Sequence, residues 1–152
     1  MAQIDSDNHK FSVTVALSDR EFWRFNLYMA CEALDAKGER IDYIHKLDIV
    51  AEEPYPQECP PNYKAERVAT LDIPECASAR VLIYLIPFQL PAVEEVAAVA
   101  PLDLKLKIVE DSKVVISRKI GSNAWSGSRF DLRLPFEGLP SLRQASVDCP
   151  PV

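Results

Sequence analysis

The chain has 152 residues, a length that favours one domain with a sizeable hydrophobic core. Hydrophobic residues make up 48% and charged residues 26%, which excludes a wholly disordered chain. The net charge of −6 argues against a nucleic-acid partner and against docking on anionic lipid, since both need a positively charged protein surface.

The N-terminal residues, MAQIDSDNHK, have neither the basic start nor the apolar core of a signal peptide. No segment approaches the roughly 20 consecutive apolar residues that a bilayer-spanning helix needs. The sequence therefore predicts a cytoplasmic protein without membrane insertion, although a secreted protein whose leader had been removed would read the same.

A period of two in hydrophobicity predicts three strands in the first third of the chain. Apolar residues alternate with polar ones over 11–17, 23–31 and 41–49, and a turn at 35–39 separates the last two strands. His45 falls on the apolar side of the third strand and is interpreted as a core or rim residue rather than a ligand. That side, which we expect to face the core, carries Ile41, Tyr43, His45, Leu47 and Ile49.

A proline-rich stretch at 51–65 predicts a long, stiff surface loop, because proline cannot donate to a strand ladder. The next strand, over 68–73, is expected to stop at Pro74. The strand after it, VLIYLIPF at 81–88, is apolar throughout. This composition raises the question of what covers its second face, because soluble monomers seldom expose such a patch.

Three covers are open for that second face. The stretch 91–100 is framed by Pro91 and Pro101 and places apolar residues on one helical face, which predicts a short crossover helix that could lie there. A second copy of the chain and a target protein are the other two. Tyr84 is expected at the border of any such contact, since its ring packs while its hydroxyl reaches water or a partner.

Three further strands, over 102–108, 114–120 and 129–134, bring the number to about eight. The predicted fold is an all-β, two-layer antiparallel β-sandwich with one short helix near 91–100, in a single domain over 1–152. Residues 1–8 and 137–152 lack a pattern and are expected to be loosely ordered tails. The strand number resembles that of immunoglobulin-like and C2-like sandwiches, but the Cys–Trp–Cys spacing and the tyrosine corner are missing.

No motif predicts a catalytic residue or a cofactor: there is no GxSxG elbow and no glycine-rich phosphate loop. The cysteines match no zinc spacing, and acidic residues such as Glu110 and Asp111 are interpreted as turn residues, so no metal is expected. Cys59 and Cys149 each precede two prolines, and a bridge between them, or one involving Cys76, stays open.

Three aromatic residues are candidates for contact with a ligand or partner: Trp125, Tyr84 and Phe22. Trp125 lies in a loop of small polar residues, where its ring either stacks on a ligand or closes one end of the core. Phe22 is adjacent to Trp23, so strict alternation would turn one of the two rings outward.

These observations predict a non-enzymatic protein-interaction or assembly module that binds a partner, or a second copy in a homodimer, through a sheet face or edge. The alternative is a carbohydrate- or small-molecule-binding sandwich that uses the Trp125 loop.

Overall fold

The structure is a computed structural model that describes residues 8–64, 66–91, 102–136 and 143–144. These residues form an all-β, two-layer antiparallel sandwich, which confirms the predicted fold class. A short 3₁₀ helix, Arg20–Arg24, precedes the second strand. The strands are β1 (His9–Leu17), β2 (Phe25–Leu34), β3 (Arg40–Asp48), β4 (Arg67–Cys76), β5 (Ser78–Pro87), β6 (Leu102–Glu110), β7 (Lys113–Ser122), β8 (Ser128–Leu134) and β9 (Arg143–Gln144).

The strands make two sheets. The four-stranded sheet has the order β4-β1-β6-β7, and the five-stranded sheet has the order β3-β2-β5-β8-β9. All neighbours pair antiparallel. The predicted helix near 91–100 lies outside the described residues, apart from Pro91, and so do the N-terminal tail to residue 7 and most of 137–152. Within that second tail, β9 pairs with β8, although the sequence predicted a loosely ordered tail there.

The core lies between the sheets and is built from alternate residues of each strand. On β6, for example, Leu102, Leu104, Leu106 and Ile108 are buried while the residues between them are exposed or partly exposed. Burial of one such side chain contributes about 1.5–3 kcal/mol relative to leaving it in water. The inward-facing sets of β1, β2, β4, β5, β6 and β8 therefore supply most of the hydrophobic stabilisation.

The prediction for the start of strand two was wrong in detail. Residues 20–24 form a 3₁₀ helix that begins after Asp19, whose carboxylate accepts a hydrogen bond from the Glu21 amide. A strand sends successive side chains to opposite faces, but a 3₁₀ helix does not. Phe22 and Trp23 are consequently both buried, at 0% and 8% exposure, and neither ring faces solvent as the alternation predicted.

The predicted core side of the third strand was also wrong. Ile44 packs on the core, whereas Tyr43, His45 and Leu47 point outward. Lys46 and Asp48, which lie on the same side of the strand as Ile44, are charged. Lys46 donates a hydrogen bond to the Thr70 carbonyl oxygen of β4 (3.1 Å). An edge strand can tolerate inward charges because they reach the margin of the core, and such charges protect the edge from pairing with other chains.

Pro74 does not stop the fourth strand, which continues to Cys76. The register of β1 with β4 shifts between His9 and Phe11, opposite this proline, and β4 is an edge strand. Proline is accepted at such a position because an irregular edge needs no ladder hydrogen bond from its nitrogen.

Candidate functional site

Strand β5 settles which side of 81–88 is core. Val81, Ile83 and Leu85 are at most 2% exposed and face the other sheet. Tyr84 and Ile86 lie on the opposite side and are 38% and 40% exposed. The second face of this strand is therefore partly open to solvent, and Tyr84 lies on it as an accessible side chain.

Strand pairing arranges the side chains of this outer face in rows across β3, β2, β5 and β8. We call this surface the outer face of the five-stranded sheet. Each row takes one residue from each of the four strands, because paired residues of antiparallel strands point to the same side. The three complete rows are Leu47–Tyr28–Tyr84–Arg129, His45–Ala30–Leu82–Asp131 and Tyr43–Glu32–Arg80–Arg133.

Aromatic rings cluster at the β3 side of the outer face. The hydroxyl groups of Tyr28 and Tyr43 are 2.9 Å apart and share a hydrogen bond, which raises the pKa of Tyr28 above its ordinary value. The His45 ring lies 6.4 Å from the Tyr28 ring and 6.2 Å from the Tyr43 ring. Tyr43 and Leu47 remain 49% and 55% exposed, so this cluster presents aromatic and aliphatic surface to solvent.

A groove of about 510 Å³ lies on the same face. Ala30 is small and buried at 5% exposure, and it lies in the row between two rows of larger side chains, which leaves the depression. Leu82 is partly buried beside it. The lining residues are Ala30, Cys31, Glu32, Tyr43, Arg80, Val81, Leu82, Asp131, Leu132 and Arg133.

The charges of the outer face have the opposite sign to those of the chain as a whole. The chain has a net charge of −6, whereas the described residues of this face include more arginines than carboxylates. They are the four arginines Arg40, Arg80, Arg129 and Arg133 and the two carboxylates Glu32 and Asp131. Glu32 lies 3.8 Å from Arg40 and 3.9 Å from Arg80. These distances exceed those of a direct hydrogen bond, so the arginines keep donors available for a ligand.

The turn that carries Trp125 is built by Asn123. Its side-chain oxygen accepts hydrogen bonds from the Trp125 and Ser126 amides, and Gly127 donates to the Asn123 carbonyl oxygen (3.0 Å). The Trp125 ring is partly buried against the core, and its Nε1 is buried without a hydrogen-bond partner among the described residues. This placement is closer to a plug over the end of the core than to a ring presented to a ligand.

Phe22 lies at the same end of the sandwich, fully buried, and its ring is not available to a ligand. Next to it Arg24, 1% exposed, donates from Nη1 to the carbonyl oxygens of Ala124 (2.9 Å) and Gln89 (3.2 Å). A cleft of about 390 Å³ borders this arginine and is also lined by Gln57. Arg24 thus connects the 3₁₀ helix to the β7–β8 turn and to the segment that follows β5.

Within the described part of the chain, one group of side chains has metal-ligand chemistry. His9, Glu110 and Asp111 each offer one ligand atom, and these atoms lie within 4.8 Å of one another. The Asp111 carboxylate already contacts His9 Nδ1 (2.8 Å) and accepts from the Lys10 amide (2.9 Å). Those contacts pin the β6–β7 turn to the start of β1 and account for the grouping without an ion.

Three of the four cysteines lie among the described residues, and all three are free thiols. Cys31 and Cys76 are buried, and Cys59 is partly exposed. Burial raises the pKa of Cys31 to about 12 and also raises that of Cys76. Cys59 and Cys76 are therefore not bridged to each other, and Cys149 lies outside the described residues.

Comparison with protein-family models, with curated proteins and with solved structures finds no match to this chain. In the part of the chain that the structure describes, no helix is long and apolar enough to cross a membrane.

Proposed function

We propose that the protein is a non-enzymatic interaction module that binds a partner protein through the outer face of the five-stranded sheet. The observation that carries the proposal is the row arrangement there, where exposed tyrosine, leucine and isoleucine side chains adjoin four arginines. Tyrosine and arginine are enriched in protein interfaces, and they supply many of the residues that dominate binding energy.

The other sheet provides an internal contrast. Its outer face carries mostly small, hydroxyl-bearing and lysine side chains, which are depleted in interfaces or neutral there, together with the exposed valines Val68 and Val114 on its edge strands. Thr14 and Thr70 hydrogen-bond across that face (2.9 Å), which satisfies their hydroxyl groups within the protein. Its central members are Ser12, Thr14, Ala16, Thr70, Lys105 and Lys107. Among the described residues, the outer face of the five-stranded sheet is therefore the richer of the two in tyrosine and arginine, which supports the proposal.

The alternative, a carbohydrate or small-molecule site at the Trp125 loop, has less support because the ring packs on the core. If the ring is a plug, Trp125→Ala destabilises the protein. The expected cost is below the about 3–5 kcal/mol that replacing a fully buried aromatic residue by alanine costs, because this ring is only partly buried. Trp125→Phe costs less than Trp125→Ala, since Nε1 makes no hydrogen bond among the described residues. Chemical denaturation measures both. An unchanged stability in Trp125→Ala would instead favour the ligand site.

The proposal is tested by site-specific photo-crosslinking in cells that produce the protein. A benzophenone side chain is placed at Leu47 on the outer face of the five-stranded sheet, and at Val68 as a matched control. Both residues are exposed apolar residues of edge strands, at 55% and 64%, but they belong to different sheets. We expect a discrete covalent adduct from position 47 and none from position 68.

Mass spectrometry then identifies the adduct, and its mass distinguishes a partner protein from a second copy of 17.1 kDa. Leu47 is a surface residue, so its replacement leaves the core unchanged, and circular dichroism confirms the fold of both variants. Equal labelling at both positions, or no adduct at position 47, would contradict the proposal.

A further inference from the structure

Arg80 and Arg133 are directly paired across β5 and β8 on the outer face of the five-stranded sheet. Both are exposed, and Arg80 shares its nearest carboxylate, Glu32, with Arg40. No carboxylate of the described residues lies within 4 Å of the Arg133 guanidinium. Like charges directly opposite each other on antiparallel strands destabilise a sheet, and a bound anion between them removes that penalty.

The neighbouring row gives this arginine pair an apolar border. Leu82 lies two residues from Arg80 along β5, and Ala30 of β2 is paired with Leu82. The groove therefore begins beside the row that contains Arg80 and Arg133. The rows are separated by two residues of strand, about 6.6–6.8 Å. An extended segment that runs along β5 therefore places an apolar side chain in the groove when a carboxylate two residues away reaches the arginines.

We propose that the groove binds an acidic segment of the partner protein, with Arg80 and Arg133 binding its carboxylate and with Leu82 and Tyr43 contacting an apolar side chain beside it. This inference rests on the proposed function and names the chemistry of its ligand. Guanidinium groups suit this task because they bind carboxylates bidentately and are always charged.

The sign of the charge favours a different protein over a second copy. Two-fold symmetry places the same patch on both sides of a homodimer contact, so both sides would carry the same net charge. The groove lining holds two arginines and both carboxylates, and the two further arginines beside it give the described part of this face a positive excess. An acidic segment complements that excess, whereas the same face of a second copy repeats it.

The test uses two peptides, acetyl-SLLEES-amide and its matched control acetyl-SLLQQS-amide, added to the ¹⁵N-labelled protein. In extended form the first peptide places a leucine and a glutamate two residues apart on each side. We expect amide shifts in residues 80–82 and 131–133 with the glutamate peptide, weakened by salt, and at least about tenfold weaker binding of the glutamine peptide.

Arg133→Gln is expected to weaken binding of the glutamate peptide at least about tenfold while raising the melting temperature at low salt, because it removes the like-charged pair. Lys107→Gln on the other sheet is the control, with both values unchanged. A purely structural Arg133 would instead lower the melting temperature on substitution. Equal binding of both peptides, or full binding by Arg133→Gln, overturns the inference.

The two experiments distinguish failure of the proposed function from failure of the acidic-segment inference. If Leu47 still crosslinks a partner but that adduct is insensitive to Arg133→Gln, then the proposed function stands and the acidic-segment inference is wrong. If the native protein is a dimer by sedimentation and Arg133→Gln dissociates it without any peptide binding, then the occupant is a second copy and the inference is also wrong.

Discussion

Gly127 shows how closely the β7–β8 turn packs on its neighbours. Its φ is +75°, and an added Cβ would collide with the carbonyl oxygen of Leu85 and lie 3.0 Å from Pro87 Cδ. Gly38, in the β2–β3 turn, has a similar φ of +84°, but a Cβ there would meet nothing within 4 Å. The two glycines share a backbone conformation and differ in the space around them.

This difference gives a paired prediction. Gly38→Ala should cost about 1–2 kcal/mol, the strain of a left-handed conformation in an L-residue. Gly127→Ala should cost roughly 1–3 kcal/mol more, because β5 backbone must also move. Urea denaturation of the two variants measures the difference. Equal costs would mean that the turn does not lie against the end of β5.

Asp111 couples stability to pH. The hydrogen bond with His9 and then that from the Lys10 amide lower the pKa of Asp111 below its ordinary 3.8. A carboxyl group with a lowered pKa stabilises the fold above its ordinary pKa, and this contribution disappears as pH falls through the lowered value. Asp111→Asn should therefore melt at a lower temperature than the native protein near neutral pH, and the gap should narrow below about pH 4.

Asparagine is the suitable replacement because it tolerates the φ of 51° at this position. Melting curves of both proteins over the acid range measure the gap. A melting-temperature gap that stays constant to low pH would show that the charge of the Asp111 carboxylate does not stabilise the fold.

Among the secondary-structure elements, Arg67 joins the two sheets at their β3–β4 side. It is 9% exposed and lies at the start of β4, in the four-stranded sheet. Its guanidinium donates to the carbonyl oxygens of Phe22 (2.9 Å), Phe25 (3.1 Å) and Asp48 (2.9 Å), and to the Asp48 carboxylate (3.1 Å). One side chain thus satisfies backbone groups at the entry to β2 and at the end of β3.

Arg67→Met should cost at least about 3 kcal/mol, since several buried or part-buried acceptors lose their donor at about 1–3 kcal/mol each. Arg67→Lys should recover only part of this, because one ammonium cannot reproduce the planar fork of donors. Arg118→Met, on an exposed position of β7, is the control and should stay within about 0.5 kcal/mol. Similar stabilities for Arg67→Met and Arg118→Met would contradict the bridging role.

The same region shows where sequence patterns predict an element and where they fail. Strand β3 was predicted from its alternation, but its core side was inverted because the hydrophobic set Tyr43, His45 and Leu47 lies outside. Periodicity identifies the two faces of a strand but cannot tell which one is buried when the more apolar face lies outside. The inward charges of Lys46 and Asp48 find partners on β4, a pairing that depends on tertiary structure.

The candidate site was predicted only in part for a related reason. Tyr84 could be named because its own strand is apolar on both sides. Tyr28, Arg80 and Arg133 could not, because their proximity arises from the register of β2, β5 and β8, which are distant in sequence. Phe22 was misplaced because a 3₁₀ helix interrupts the alternation just before β2.

At the scale of the whole molecule, the thiols report on opening of the sandwich. Burial raises the pKa of Cys31 to about 12, so at mildly alkaline pH this thiol is protonated as well as shielded, and Cys76 is likewise buried. In a Cys149→Ser background, Ellman's reagent should modify Cys59 rapidly and Cys31 and Cys76 only as fast as the native protein opens. Mass spectrometry of partly labelled protein checks the order, and early labelling of Cys31 would contradict the buried placement.

The position of β1 in the middle of its sheet has a consequence for how the chain folds during synthesis. Its two neighbours are β4 and β6, so the earliest of the described strands must wait for two much later ones. The β2–β3 hairpin can form from adjacent residues, but β1 keeps one edge unpaired until β6 has left the ribosome. Long-range pairing of this kind is slow and exposes strand edges meanwhile, so the nascent chain is most prone to aggregation between the emergence of β1 and that of β6.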